Sequence, residues 1–183
     1  MFQKTLIYSI LSLSLLLGGC SDSSEEVNSI LSTNEYVLTS TNDSQYIIKK
    51  QNDGFVVDSM EGKIVLFDIF ATWCPPCQDS APLLSGLQEK YKDDLIIIAV
   101  TIEDKISNEK LDIFKSKYNA NYTIVNSSEN HRFVDAITAE LELGERFPIP
   151  VMAIYKDGKL ISHYLGATVE EFIESDIKKA LEL

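Results

Sequence analysis

The stretch FATWCPPCQD, residues 70–79, holds two of the chain's three cysteines, three positions apart with two prolines between them. Such a pair can be half of a metal site, a covalent staple or a redox centre. A structural zinc site takes about four ligands, usually a second C-x-x-C or paired histidines. The chain has only His131 and His163, far apart in sequence and each alone. A c-type haem site needs histidine directly after the second cysteine, where Gln78 stands. A disulfide across two residues closes too small a loop to constrain much of the unfolded chain. Redox chemistry is the reading that fits.

The flanks support it. Upstream, KIVLFDIF (63–70) is an almost continuous apolar run, the pattern of a central strand covered on both faces. Downstream, Leu83, Leu84, Leu87 and Tyr91 recur at helical spacing and predict a helix over 75–90. A cysteine opening a helix lies at the positive end of the helix dipole, which favours thiolate over thiol. Cys74 fits that position and is expected to be the exposed nucleophile. Cys77, one turn further, faces inward as the resolving thiol. Cys74 would attack a substrate disulfide, and Cys77 would then displace the reduced substrate from the mixed disulfide. Pro75 suits a first helical position, where an amide has no intrahelical partner. Asp68 is out of character in its apolar strand, on one face with Ile64 and Leu66. A carboxylate there is costly, and burial would raise its pKa. The alternative is an exposed carboxylate at the strand's end.

Further out the pattern alternates. YVLTS, YIIKK and FVVDS are short β-rich runs, with Asn52-Asp53-Gly54 as a hairpin-type turn between the last two. DLIIIAVTI reads as a second buried strand, SNEKLDIFKSKY as an amphipathic helix and NYTIV as a short strand. ENHRFVDAITAELEL places Phe133, Ile137 and Leu141 on one helix face, with Gly144 as the stop. VMAIY and LISHYL form an antiparallel hairpin through Asp157-Gly158-Lys159. TVEEFIESDIKKALEL closes the chain as a helix, with Thr168 as N-cap and Glu171 completing a capping box. Helices alternating with buried strands make an α/β sandwich around a mixed sheet.

A buried strand, then W-C-x-x-C opening a helix, then Ile149-Pro150 before a later strand resemble the thioredoxin superfamily, over about 36–183. The C-P-P-C sequence, the helix-strand segment near 104–126 and the export signal described below resemble its TlpA/ResA-like branch. The resemblance implies a thioredoxin-like fold: a central mixed β-sheet flanked by helices on both faces, with an N-terminal β-hairpin and an inserted helix-strand segment. It also implies a thiol:disulfide oxidoreductase without organic cofactor. Such a protein reduces protein disulfides with electrons from a membrane thiol-reductant transporter, and serves apocytochromes in cytochrome c maturation or other mis-oxidised proteins.

By the same resemblance, Asp68 matches the buried acid that takes the proton from the resolving cysteine. Either Pro148 or Pro150 could be cis, and Pro150, which directly precedes VMAIY, is preferred. In this fold the cis-proline lies against the disulfide, and the backbone of the preceding residue, Ile149, pairs with the substrate chain. Trp73 flanks the site as an exposed aromatic contact, and Pro82 matches a helix-kinking proline. There are departures: Ser80 stands where the branch often has Glu, ERFPIPV replaces a glycine-rich approach, and Asp68 occupies a position where the branch favours Asn. A rival reading is a copper metallochaperone using the dithiol with Met152 nearby, or a thioredoxin-like adaptor without turnover.

The N-terminus is a different physical object. MFQKTLIYSILSLSLLLGGC has Lys4, an apolar run from Leu6 to Leu17, then Gly18-Gly19-Cys20, the layout of a secretory signal. Extended through both glycines, the run gives roughly 21 Å of helix at about 1.5 Å per residue, short of the ~30 Å apolar core of a bilayer. LGGC looks like a bacterial lipobox, which makes residues 1–19 a lipoprotein signal peptide and Cys20 the lipidated first residue. Residues 20–35 are polar and acidic and read as a tether; 36–183 form the folded domain. The protein is thus expected outside the cytoplasm, held to a bacterial membrane and facing the periplasm if the cell has two membranes. Cys20 is claimed by lipid, so only Cys74 and Cys77 remain, in a compartment where disulfides form. With 45% hydrophobic residues the 183-residue chain can build a core, and its net charge of −12 argues against nucleic-acid binding.

Overall fold

The computed structural model describes residues 34–183. The signal segment, Cys20 and nearly all of the tether lie outside the described residues.

The run 63–70 becomes strand β4 (Ile64–Phe70), every residue of which is buried. It occupies the middle of a five-stranded sheet. On one side β5 (Leu95–Thr101) runs parallel to it, followed by the short parallel strand β6 (Thr123–Val125). On the other side lie β7 (Val151–Lys156) and then β8 (Lys159–Leu165), both pairings antiparallel. Alternation along β4 divides the interior into two cores. Ile64, Leu66 and Phe70 face a core completed by α1 (Pro75–Lys90), α2 (Asn108–Tyr118) and α4 (Glu170–Ala180), through Leu84, Leu87, Leu111, Phe114, Ile173 and Ile177. Val65, Phe67 and Ile69 face the other, built with α3 (Asn130–Glu140). Helices therefore cover both faces of a mixed sheet.

The N-terminal hairpin is part of something larger. β2 (Gln45–Gln51) and β3 (Gly54–Val57) pair around the Asn52-Asp53 turn, and β1 (Glu35–Thr39) adds a third antiparallel strand. Tyr36 on β1 and Phe55 on β3 reach Phe133 of α3, with ring centroids 5.5 and 5.3 Å apart, and Phe133 stacks edge-on to Phe67 at 4.8 Å. This aromatic cluster fastens the small sheet to the second core. Gly54 is required at the turn: its φ is +148°, and an added Cβ would lie 2.8 Å from the Gly158 carbonyl oxygen.

Two helix ends differ from expectation. α3 stops at Glu140, before Gly144, because Glu142 takes up the left-handed conformation (φ 55°) and the Leu143 N–H turns back to the Thr138 carbonyl at 2.9 Å. α4 is capped by Val169 with no side-chain cap bond, so Thr168 and Glu171 form no capping box. Ahead of it, the Gly166 N–H donates to the carbonyl of Pro150, the residue before β7, at 2.8 Å. Glu170 and Glu171 still place negative charge in the first turn of α4, where the dipole favours it.

Candidate active site

The site lies where β4 ends and α1 begins. Cys74 is the N-cap of α1, with extended backbone (φ −84°, ψ 111°), and its Sγ accepts the Cys77 N–H at 3.3 Å. Capping normally draws on the amides of the second and third helical residues. Pro76 occupies the second and has no N–H, so Cys77 is the first main-chain donor this sulfur can reach. Cys74 and Cys77 are joined as a disulfide, with Cα atoms 5.3 Å apart.

Cys74 is not exposed in this oxidised form. Only 3% of it is accessible, against 2% of Cys77 and 64% of Trp73. Its sulfur is turned towards the Cys77 amide and backs onto the Ile149 carbonyl oxygen, 3.6 Å away. Trp73 carries the open surface beside the disulfide. The Ile149–Pro150 bond is cis and Pro148 is trans, so the loop before β7 presents the Ile149 backbone to the disulfide. Pro82 lies inside α1, and Ser80 turns inward, donating its hydroxyl to the Pro76 carbonyl at 2.8 Å.

Asp68 is buried, with 2% exposure. By strand alternation it shares the face of Leu66 and Phe70, the core that also holds Cys74 and Cys77. Its register neighbours are Ala99 and Met152, both fully buried, and its Oδ1 has no hydrogen-bond partner. Desolvation by burial raises its pKa to about 7, with no cation to oppose it. Asp68 therefore changes protonation near neutrality. Met152, the sulfur ligand of the copper reading, sits inside the sheet opposite this acid. His131 is a surface residue, its Nε2 2.8 Å from Asp104. Among the described residues no group of three His, Cys, Asp or Glu side chains is placed to hold a metal.

Sequence reasoning missed four residues here. Glu103 follows β5, and its Oε2 accepts the Thr72 N–H at 2.6 Å while its Oε1 accepts the Thr72 hydroxyl at 3.0 Å. Gln78, on the first turns of α1, donates its Nε2 to the Thr72 carbonyl at 2.7 Å. Tyr122 is buried in the same core as the cysteines, and its phenol pKa is pushed well up, first by burial and then by the charge of Asp68. The signal for Glu103 was an acid directly after an apolar strand, at the end of the sheet where Cys74 also lies.

The arrangement can run dithiol–disulfide exchange: one sulfur at a helix start, a second a turn below it, a buried acid on the same face and a backbone edge beside them. The two prolines set its poise. Pro76→His restores an N–H at the second helical position and adds an imidazole, both of which stabilise a Cys74 thiolate. The pair should become more oxidising by about 30 mV or more, roughly tenfold in equilibrium constant. Equilibration with glutathione measures this, and an unchanged constant would show that the missing donor has no bearing on the poise.

Comparison with known proteins agrees with this geometry. The Redoxin family matches residues 40–181. Thiol-disulfide oxidoreductase ResA of Bacillus thuringiensis subsp. konkukian is 27% identical over 153 residues, covering 76% of this chain and 82% of its own. Thioredoxin-like protein YneN of Bacillus subtilis is 35% identical over 66 residues, which span 36% of this chain and only 39% of YneN. Among solved structures, a thiol:disulfide interchange protein of the thioredoxin family from Chlorobium tepidum superposes with a TM-score of 0.61 at 16% identity, covering 81% of this chain and 94% of that one. That likeness carries the fold, a thioredoxin-like one. The chain belongs to the Redoxin family.

Proposed function

We propose that this protein is a thiol:disulfide oxidoreductase that reduces protein disulfides outside the cytoplasm, held to a bacterial membrane through Cys20. The observation that carries the reading is the Cys74–Cys77 disulfide at the start of α1, with a single main-chain donor on Cys74 and the Ile149 carbonyl against it. In the reduced protein Cys74, as thiolate, attacks a substrate disulfide; one substrate sulfur leaves and takes up a proton. Cys77 gives its proton to Asp68 and attacks Cys74, and the second substrate thiol departs. Two electrons pass to the substrate and the oxidised pair remains. A membrane thiol-reductant transporter returns it to the dithiol. The substrate backbone lies along Ile149 and Pro150, with Trp73 beside it.

Apocytochromes in cytochrome c maturation are the substrate class that the resemblance to the TlpA/ResA-like branch favours. No organic cofactor enters these steps. Support for the location comes from the sequence of residues 1–20, which reads as a signal ending in a lipobox. Among the described residues no helix is long and apolar enough to cross a membrane. In this reading the lipid on Cys20 holds the protein to the membrane. The acidic stretch after Cys20 would let the domain stand off the surface.

The test uses the native protein extracted in detergent. Its intact mass should begin at Cys20 with acyl chains attached, and after reduction it should reduce the disulfides of insulin. Cys20→Ala should release a soluble protein with the same reductase rate. Retention of residues 1–19 contradicts the anchor. Failure of the reduced protein to act on insulin contradicts the activity.

A further inference from the structure

Thr72 is tied on all three of its polar groups. Its N–H and hydroxyl go to the two oxygens of Glu103, at 2.6 and 3.0 Å, and its carbonyl accepts from Gln78 at 2.7 Å. Glu103 is itself steadied by Thr101: its N–H donates to the Thr101 Oγ1 at 3.1 Å, and that hydroxyl lies 3.5 Å from Oε2. Thr101 is 1% exposed and ends β5. A half-buried carboxylate rooted in the sheet therefore grips the loop two residues before Cys74. Among the described residues no lysine or arginine pairs with Glu103.

We propose that Glu103 is a positioning residue that also sets the redox poise of the cysteine pair. Through Thr72 it fixes where Trp73 and Cys74 emerge from β4, and its uncompensated negative charge disfavours the Cys74 thiolate. A negative neighbour raises a thiol's pKa, and a less stable thiolate makes the dithiol a stronger reductant. The effect adds to that of the two prolines. Both act on the same sulfur, one by withholding a donor and the other by supplying a repelling charge. The inference rests on Cys74 being the attacking thiol.

Other charged groups lie on the segments that carry the site or follow it: Asp68 on β4, Asp79 on α1, Asp104 with its partner His131 on α3, Lys105 next in the chain, and Glu145 and Arg146 on the loop leading to Ile149. All of them stay in place when Glu103 alone is changed, so a comparison of Glu103 variants isolates its charge.

Two variants of the full-length chain separate grip from charge. Glu103→Gln is isosteric: its amide oxygen can accept the Thr72 N–H and its amide N–H can donate to the Thr72 hydroxyl, so only the charge is lost. Glu103→Ala loses both contacts. The readouts are the pH dependence of Cys74 alkylation by iodoacetamide, the equilibrium constant against glutathione, and thermal stability. Glu103→Gln should keep the stability of the parent, move the alkylation profile to lower pH and make the pair roughly three- to tenfold more oxidising, about 15 to 30 mV. Glu103→Ala should show the same direction of shift together with a lowered melting temperature. A Glu103→Gln protein whose profile and constant both stay within about twofold of the parent would overturn the proposal, leaving a strap alone. Alkylation at Cys77 before Cys74 in the parent would also overturn it, by removing the assignment of roles on which it stands.

Discussion

Substituting Cys77→Ser should stop the exchange halfway and leave protein substrates covalently attached through Cys74. The resolving sulfur is then gone, while the attacking sulfur and the Ile149 edge remain. Escape from the mixed disulfide would depend on outside thiols, so resolution should slow by at least about a thousandfold, the scale seen when a group that acts in the reaction is removed. The trapped species would run as a higher band on a non-reducing gel and collapse on reduction. Cys74→Ser should give no such band. The order matters because both cysteines are almost equally buried in the oxidised protein, at 3% and 2%. Exposure therefore does not distinguish them; the capping geometry does, since Cys74 accepts the Cys77 N–H and lies against Ile149. If Cys74→Ser traps substrate and Cys77→Ser does not, the two roles are reversed.

The second large effect is at Asp68. Its folded pKa, about 7, lies above the value of 3.8 for a free side chain, because burial penalises the charged form. Between those two pH values the folded protein holds a proton that the unfolded chain has released. Stability is therefore fully present below about pH 4, falls as pH rises, and levels off above about pH 7. At about 1.4 kcal/mol per pH unit the loss is on the order of 4 kcal/mol. Asp68→Asn cannot ionise and should abolish this slope. A buried, unpartnered amide costs about 1–3 kcal/mol in return, so the variant should be more stable than the parent at pH 8 and no more stable at pH 4. Urea unfolding of the oxidised protein at both values tests it.

The same substitution should slow resolution of the mixed disulfide by about a hundredfold near pH 7, where a general base contributes most. The initial attack by Cys74 should be little changed. A variant that resolves at the parent rate would remove Asp68 from the mechanism, even if the stability result held.

Much of this site could be read along the chain because its parts are local. β4, Cys74 and α1 are contiguous, and the apolar run followed by helical spacing defines both elements. Asp68 stood out as the one charge within Ile64–Phe70, and Pro150 as the proline directly before a later strand. What could not be read depends on contacts across the fold. Glu103 meets Thr72 only because β5 lies parallel to β4 and both end at the same edge of the sheet. The Ile149 carbonyl that lies against the Cys74 sulfur is 75 positions away in sequence. YVLTS was legible as a strand, but its place as the third strand of the N-terminal sheet depends on its pairing with β2. At α4 a local pattern misled: Thr168 and Glu171 have capping-box spacing, but the bond from Gly166 to Pro150 sets the turn, and Val169 becomes the cap.

With prolines that leave Cys74 one main-chain donor, this dithiol should be a reductant. Its reduction potential tests this most directly, by equilibration with glutathione and readout from Trp73, the chain's sole tryptophan and the neighbour of Cys74. The expected value is about −200 to −280 mV, towards the thioredoxin end of the known range. A potential near −120 mV, where the strongly oxidising relatives lie, would make the protein an oxidant and contradict it.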